Sequence, residues 1–128
     1  QNIRFPVVHN ANSILSPFIE WGEGCIVASI YTVITVNVKI GDFVYIGGSN
    51  RIGHDVKIGD YTTIYTGTLV GGGVQIGDGC IIGSGAVIRP KIKIGDGSIV
   101  GAGSVVVKDV PSNVVVAGVP AKIFKMIK

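Results

Sequence analysis

β-branched apolar side chains recur at every sixth position through the middle of the chain. The series has twelve unbroken members: Ile40, Ile46, Ile52, Ile58, Ile64, Val70, Ile76, Ile82, Ile88, Ile94, Val100 and Val106. A six-residue period fits neither an amphipathic helix, with a period of 3.6, nor an isolated strand, with a period of 2. It fits a solenoid whose coil has three short sides, each of which places one branched side chain on the axis. The pattern therefore predicts an all-β, single-stranded parallel β-helix of hexapeptide repeats.

The tripeptide Ile-Gly-Asp returns every 18 residues, at 40–42, 58–60, 76–78 and 94–96. An 18-residue coil places residue n over residue n−18, because aligned parallel strands repeat their neighbours. The four aspartates then share one column, in a turn position where Asp binds local backbone amides. A second column contains Lys39, Lys57, Gln75 and Lys93. It is interpreted as a solvated edge, with phosphate capture as the alternative.

The interruptions of the repeat divide the chain into three segments. Residues 1–24 form an irregular leading segment and first coil, and residues 25–107 form the hexapeptide-repeat β-helix, in which Ala28 weakens one hexad. Residues 108–128 add a C-terminal strand, a Gly-Val-Pro-Ala-Lys loop and a tail, because Pro111 cannot donate a ladder hydrogen bond. The tail is expected to be a short helical turn or an extended arm that packs through Ile123, Phe124 and Ile127.

Composition narrows the classes of function. A net charge of +3 is compatible with a phosphorylated ligand but is too weak and too scattered to indicate a nucleic-acid partner. No apolar run approaches the ~20 residues of a membrane span. Cys25 and Cys80 are placed at unrelated phases of the repeat, which favours buried thiols in a cytosolic protein over a disulfide.

One of the two histidines, His54, interrupts the clean repeat. Its column holds Val36 below and Gly72 above, and the run 71–73 is entirely glycine, which predicts an open notch beside the ring. Asp55 is the nearest carboxylate in sequence that can hold the imidazole tautomer. An imidazole beside a carboxylate and next to open space suits general-base catalysis. A solvent-facing or turn-bonding histidine is the structural alternative.

The period, the His54-Asp55 pair, the Leu69-Val70-Gly71-Gly72 step and the closing Gly118-Val119-Pro120-Ala121-Lys122 resemble the left-handed β-helix acyltransferases. The chain is most similar to the family of sialic acid O-acetyltransferases and UDP-4-amino-sugar N-acetyltransferases, from Phe5 to Ile123. The resemblance implies left-handed coils and a cytoplasmic homotrimer with acetyl-CoA in the groove between neighbouring β-helices. It also implies acetyl transfer to a nucleotide-linked amino-sugar in bacterial surface-glycan biosynthesis.

The same resemblance implies roles for individual residues. His54 is the general base, and Asp55 raises its basicity. The residues that touch acetyl-CoA are Thr63, Gly72, Ser84 and Ala102. Backbone amides are the expected donors to the thioester oxygen. Transfer is expected to be direct, without a cysteine acyl carrier and without a metal.

The chain departs from the family pattern near the acceptor. Gly47 stands where relatives commonly have an Asn, with Ser49 and Asn50 nearby, and Gly53 stands where they often have an acidic residue. Many relatives also carry an N-terminal α/β domain that holds the nucleotide sugar. Phe5-Pro6 matches the point where that domain would join the β-helix, so the chain is expected to be a fragment or a member without it.

Four other functions remain as alternatives. O-acetylation of a sialic acid or polysaccharide sugar uses the same base and the same donor. A non-catalytic scaffold would have no use for His54 beside a glycine run. A γ-class carbonic anhydrase needs three histidine ligands, and an ice-binding solenoid needs ranks of threonine, of which Thr66 and Thr68 are the only pair within one strand.

Overall fold

The structure is a computed structural model that describes residues 3–28 and 30–128. Short strands follow one another along the whole of this range. They are β1 (Val8–His9), β2 (Ile14–Leu15), β3 (Ile19–Trp21), β4 (Ile26–Val27), β5 (Val33–Ile34), β6 (Val38–Ile40), β7 (Tyr45–Ile46), β8 (Arg51–Ile52), β9 (Lys57–Ile58), β10 (Thr63–Ile64), β11 (Leu69–Val70), β12 (Gln75–Ile76), β13 (Ile81–Ile82), β14 (Val87–Ile88), β15 (Lys93–Ile94), β16 (Ile99–Val100), β17 (Val105–Val106), β18 (Val114–Ala117) and β19 (Lys122–Met126).

Successive strands pass in turn to three sheets, which are the three faces of the solenoid. Sheet A has the order β1-β4-β7-β10-β13-β16-β18-β19, sheet B contains β2, β5, β8, β11, β14 and β17, and sheet C contains β3, β6, β9, β12 and β15. All neighbours are parallel except β18 and β19. From β5 onwards, partners on adjacent coils are 18 residues apart, as in Val33 with Arg51 and Lys39 with Lys57. The predicted parallel β-helix and its coil length are confirmed.

The interior contains two side chains from each hexad. All twelve of the predicted axial residues are buried. A second buried series lies two residues before each of them, because alternate residues of a strand share a face. This series was not predicted: Val38, Val44, Asn50, Val56, Thr62, Thr68, Val74, Cys80, Ala86, Ile92, Ser98 and Ser104.

The first coils contain one extra residue. Ile14 pairs with Val33 and Ile26 pairs with Tyr45, so these partners are 19 residues apart, and the n−18 rule is wrong there. The additional residue lies between Ile26 and Val33. Val27 therefore points inward and is buried, which means that Ala28 is not the weak axial residue that was predicted.

The same extra residue brings the two cysteines into one phase. The column that pairs Ile26 with Tyr45 continues to Ile81, so Cys25 and Cys80 occupy equivalent places, and their prediction as unrelated phases is wrong. Each thiol donates to a glycine carbonyl, Cys25 to Gly41 at 3.0 Å and Cys80 to Gly95 at 3.2 Å. Both are buried and free, as predicted. Burial raises the pKa of both thiols.

The Ile-Gly-Asp tripeptide connects adjacent coils. The Asp78 carboxylate accepts the backbone N–H of Asp60 at 2.7 Å, and Asp60 and Asp96 make the same bond to the preceding coil. The predicted partners, amides of the local turn, are therefore replaced by amides 18 residues away. A Cβ on Gly59 would lie 2.3 Å from Asp78 Oδ1. Glycine precedes each aspartate because the carboxylate of the next coil fills that space.

The C-terminal residues complete sheet A. β18 pairs with β16 in parallel, which confirms the predicted strand, and β19 returns antiparallel to β18. The tail is therefore an extended arm, and the helical-turn alternative is wrong. Ile123 and Phe124 are exposed, and only Ile127 of the three predicted packing residues is half-buried.

Candidate functional site

His54 and Asp55 lie in the turn between β8 and β9, on the B/C corner, which is the edge where the chain passes from sheet B to sheet C. His54 Nδ1 is 2.8 Å from Asp55 Oδ2. Because an ionised carboxylate only accepts hydrogen bonds, Nδ1 carries the proton and Nε2 keeps its lone pair. The histidine side chain is 68% exposed. A substrate proton can therefore reach Nε2.

Gly72, on the next coil, makes room for the imidazole. A Cβ on Gly72 would lie 2.5 Å from His54 Nε2 and 2.7 Å from Cε1. The neighbouring Gly73 N–H donates to the His54 carbonyl at 2.8 Å, which ties the turn to the coil above it. The predicted glycine notch is present, and the edge of the imidazole that bears Nε2 lies against it.

Asn37 is a site residue that the sequence analysis missed. Its side-chain amide donates to Asp55 Oδ1, while Asp55 Oδ2 binds His54. The hydrogen bond from Asn37, followed by that from His54, lowers the pKa of Asp55. Asp55 is thereby kept as a carboxylate that faces the imidazole. The 18-residue register was the available signal, because it places Asn37 directly below Asp55.

An open groove on sheet B adjoins this corner. It has a volume of about 430 Å³ and includes Gly72 in its lining. Leu69 and Val87 contribute apolar side chains, and Arg51 and Arg89 contribute the charged ones. The groove can hold an extended ligand with one end beside His54.

The other residues predicted to bind acetyl-CoA lie elsewhere on the chain. Ser84 and Ala102 occupy the A/B corner, where sheet A passes to sheet B, and they follow the paired strands β13 and β16. The Gly103 N–H donates to the Ser84 carbonyl at 2.8 Å, which joins these two turns. Thr63 lies on β10, in sheet A. One copy of the chain thus brings Gly72 to His54 and Asp55 but leaves Thr63, Ser84 and Ala102 apart from them.

Asn50 belongs to the interior and not to the B/C corner. Its side chain is fully buried and donates to the Gly47 carbonyl at 2.9 Å. Its oxygen accepts both the N–H and the hydroxyl of Thr68. The amide is therefore occupied in joining coils at the A/B corner.

Two searches of residues 3–28 and 30–128 found nothing. No group of three or more His, Cys, Asp or Glu side chains in these residues is placed to hold a metal ion. No helix in the same residues is long and apolar enough to cross a membrane.

Comparison with protein families identifies the repeat. The profile described as "Bacterial transferase hexapeptide (six repeats)" matches residues 37–72 and 73–108, more than half of the chain. No curated protein matches the chain significantly in sequence.

Three solved structures are similar over nearly the whole chain. Perosamine N-acetyltransferase from Caulobacter crescentus, a histidine-to-asparagine variant in complex with CoA and GDP-perosamine, is 32% identical with a TM-score of 0.91 over 94% of this chain. The acetyltransferase domain of PglB from Neisseria gonorrhoeae, also solved with acetyl coenzyme A, is 30% identical with a TM-score of 0.92 over 94% of this chain. WeeI from Acinetobacter baumannii is 38% identical with a TM-score of 0.85 over 91% of this chain. The chain spans 57%, 58% and 57% of these three proteins, respectively.

Proposed function

The chain belongs to the bacterial transferase hexapeptide family, and we propose that it transfers an acetyl group from acetyl-CoA to the amine of a nucleotide-linked amino-sugar. The observation that carries this proposal is the His54 imidazole, which is bound to Asp55 through Nδ1 and lies against Gly72 at Nε2. The biological setting that we propose is bacterial surface-glycan biosynthesis.

In the proposed mechanism, His54 is the general base. The amine nitrogen of the sugar attacks the thioester carbonyl carbon, and Nε2 takes the proton that this nitrogen loses. The carbon–sulfur bond then breaks, and the proton passes from the imidazolium to the departing thiolate. The Asp55 carboxylate stabilises the imidazolium, and Asn37 positions that carboxylate from below.

Acetyl transfer is proposed to be direct, without an acyl-enzyme. Cys25 and Cys80 are buried in the interior of the solenoid, away from the B/C corner. Burial raises the pKa of both thiols and so disfavours the nucleophilic thiolate. Two inert cysteines support a single-step transfer.

We propose a homotrimer in which acetyl-CoA lies between neighbouring copies. Thr63, Ser84 and Ala102 of one copy would contact the donor near His54 and Gly72 of the next copy. The separation of these two groups within one chain supports a shared groove. We place the reaction in the cytoplasm, the compartment that supplies acetyl-CoA.

The similar proteins favour an amine acceptor. The Caulobacter crescentus protein is named as an N-acetyltransferase and was solved with an amino-sugar nucleotide. O-acetylation of a sialic acid or polysaccharide sugar, and a non-catalytic scaffold, become outcomes of the test.

The test combines acetyl-CoA binding with acceptor turnover. Calorimetry measures acetyl-CoA binding to the wild type, to His54→Ala and to His9→Ala, which removes the other, exposed histidine as a control. CoA release is then followed with GDP-perosamine and with sialic acid as acceptors.

We expect all three proteins to bind acetyl-CoA and only His54→Ala to lose turnover, by roughly 10²–10⁴-fold as for a missing general base. Turnover on sialic acid alone would replace N-acetylation by O-acetylation. Absence of acetyl-CoA binding to the folded wild type would refute the enzyme and favour the scaffold.

A further inference from the structure

Two arginines line the groove that leads to His54. Arg51 begins β8, and Arg89 directly follows β14, two coils further along the axis. Both side chains are exposed and belong to the lining of the groove. Among residues 3–28 and 30–128, no carboxylate forms an ion pair with either guanidinium. The fold therefore leaves two positive charges on one side of the groove without a protein partner.

The spacing of the coils allows both side chains to reach one ligand. Adjacent parallel strands are about 4.8 Å apart, so two coils separate the backbones of Arg51 and Arg89 by roughly 10 Å along the axis. A guanidinium at the end of each long side chain can cover half of that distance. Gly71 and Gly72 lie on the coil between them and project no side chain into the groove.

We propose that Arg51 and Arg89 bind the diphosphate group of a substrate that lies along sheet B with its reacting end at His54. This inference rests on the proposed function. Planar guanidinium groups bind phosphate oxygens in bidentate geometry, which makes arginine the preferred cation for this purpose. Two substrates of the proposed reaction carry a diphosphate, the coenzyme A donor and the nucleotide-sugar acceptor.

The lysine column on sheet C offers the contrasting case. Lys39, Lys57 and Lys93 line a larger open groove of about 720 Å³. That groove includes neither His54 nor Gly72 in its lining, so a ligand there has no access to the general base. The sheet C lysines provide a control with the same charge at a site that lacks the chemistry.

The experiment compares Arg51→Gln/Arg89→Gln with the matched double variant Lys39→Gln/Lys93→Gln in the full chain. Calorimetry measures the binding of coenzyme A, of pantetheine, which lacks phosphates, of UDP, of GDP and of inorganic pyrophosphate. Circular dichroism confirms that each variant is folded. We expect the arginine variant to bind at least one diphosphate ligand about tenfold or more weakly, and the lysine variant to bind like the wild type.

The ligands separate the two sources of the diphosphate. Weaker coenzyme A binding with unchanged UDP and GDP binding assigns the pair to the donor, whereas the reverse assigns it to the acceptor. Unchanged binding of all of them to the folded arginine variant would overturn the proposal, as would an equal loss in the lysine variant.

Pyrophosphate keeps this inference separate from the proposed function. If the wild type does not bind coenzyme A, the proposed function fails while the anion site is still measured by pyrophosphate. Pyrophosphate binding that is lost in the arginine variant alone would then support the site, and binding that is unchanged or absent would overturn it.

Discussion

The two ring nitrogens of His54 have different roles because their neighbours differ. Nδ1 faces the Asp55 carboxylate, and Nε2 faces Gly72, which has no side chain. Asn37 holds the other carboxylate oxygen, so that Asp55 keeps its charge and its orientation. Three residues from two coils thus establish one tautomer in an exposed turn.

Replacing Asn37 is expected to raise the pKa of Asp55. Asn37 has a φ of 57°, so Asn37→Gly removes the amide without strain in the left-handed region. A carboxyl with a lowered pKa contributes stability above its unfolded pKa and loses that contribution as the pH falls through the folded value. In Asn37→Gly the loss should therefore begin at a higher pH than in the wild type. An NMR titration of the Asp55 carboxyl measures the change.

Asn113→Gly is the control for this titration, because Asn113 has a φ of 58° and lies in a distant turn. It should leave the pKa of Asp55 unchanged. An Asp55 titration that is the same in Asn37→Gly and the wild type would show that the Asn37 amide does not stabilise the carboxylate.

Replacing Asn50 is expected to destabilise the interior. Asn50→Ala leaves the buried Thr68 N–H and hydroxyl without their acceptor. An unsatisfied buried polar group costs about 1–3 kcal/mol of unfolding free energy. The urea midpoint should fall accordingly, whereas Asn12→Ala, in an exposed turn, should keep it. Equal midpoints for the two variants would contradict a structural role for Asn50.

At the scale of the element, each coil is fitted to the next by the Ile-Gly-Asp turn. The isoleucine fills the axis, the glycine leaves space and the aspartate of the following coil uses that space to bind a backbone amide. The three residues therefore act as one unit across the coil boundary. This accounts for the return of the whole tripeptide with the 18-residue period.

Gly59→Ala should disrupt this fit. Its Cβ would lie 2.3 Å from Asp78 Oδ1 and 2.5 Å from the Gly77 carbonyl carbon, and overpacking of this kind costs about 1–3 kcal/mol. Gly101→Ala is the matched control, because its Cβ would have no neighbour closer than 3.2 Å. Urea denaturation should show a lower midpoint for Gly59→Ala than for Gly101→Ala. The opposite order would rule out steric contact with the Asp78 carboxylate as the reason for glycine.

For the whole molecule, the outer faces of the solenoid differ in chemistry. The outward column of sheet A exposes large apolar side chains at Val8, Ile26, Tyr45 and Ile81, whereas the corresponding column of sheet C carries Lys39, Lys57, Gln75 and Lys93. Apolar patches exposed on a folded protein mark interaction surfaces. Sheet A is therefore the face that we expect neighbouring copies to cover.

The proposed homotrimer should depend on sheet A. Ile26→Glu/Ile81→Glu places two carboxylates on that face and should reduce the mass measured by sedimentation equilibrium from trimer to monomer. Gln75→Glu adds a carboxylate to sheet C and should leave the trimer intact. A monomeric wild type would contradict the homotrimer, and a trimeric sheet A variant would place the interface on another face.

The sequence by itself determined the architecture and the candidate base. A strict six-residue period leaves one solution for burying twelve branched side chains, and an interruption as abrupt as His54 before a glycine run is visible without coordinates. The register counted from the Ile-Gly-Asp turns also predicted that Gly72 would lie over His54, because stacked coils of equal length repeat their neighbours.

Only the tertiary structure decided what depends on contacts between coils. The extra residue between Ile26 and Val33 shifts the register of the first coils and brings Cys25 into phase with Cys80. The hydrogen bond from Asn37 to Asp55, and the groove between Arg51 and Arg89, join residues whose side chains meet only after stacking. A repeat specifies which positions face inward, whereas the bonds between turns depend on the side-chain directions that stacking imposes.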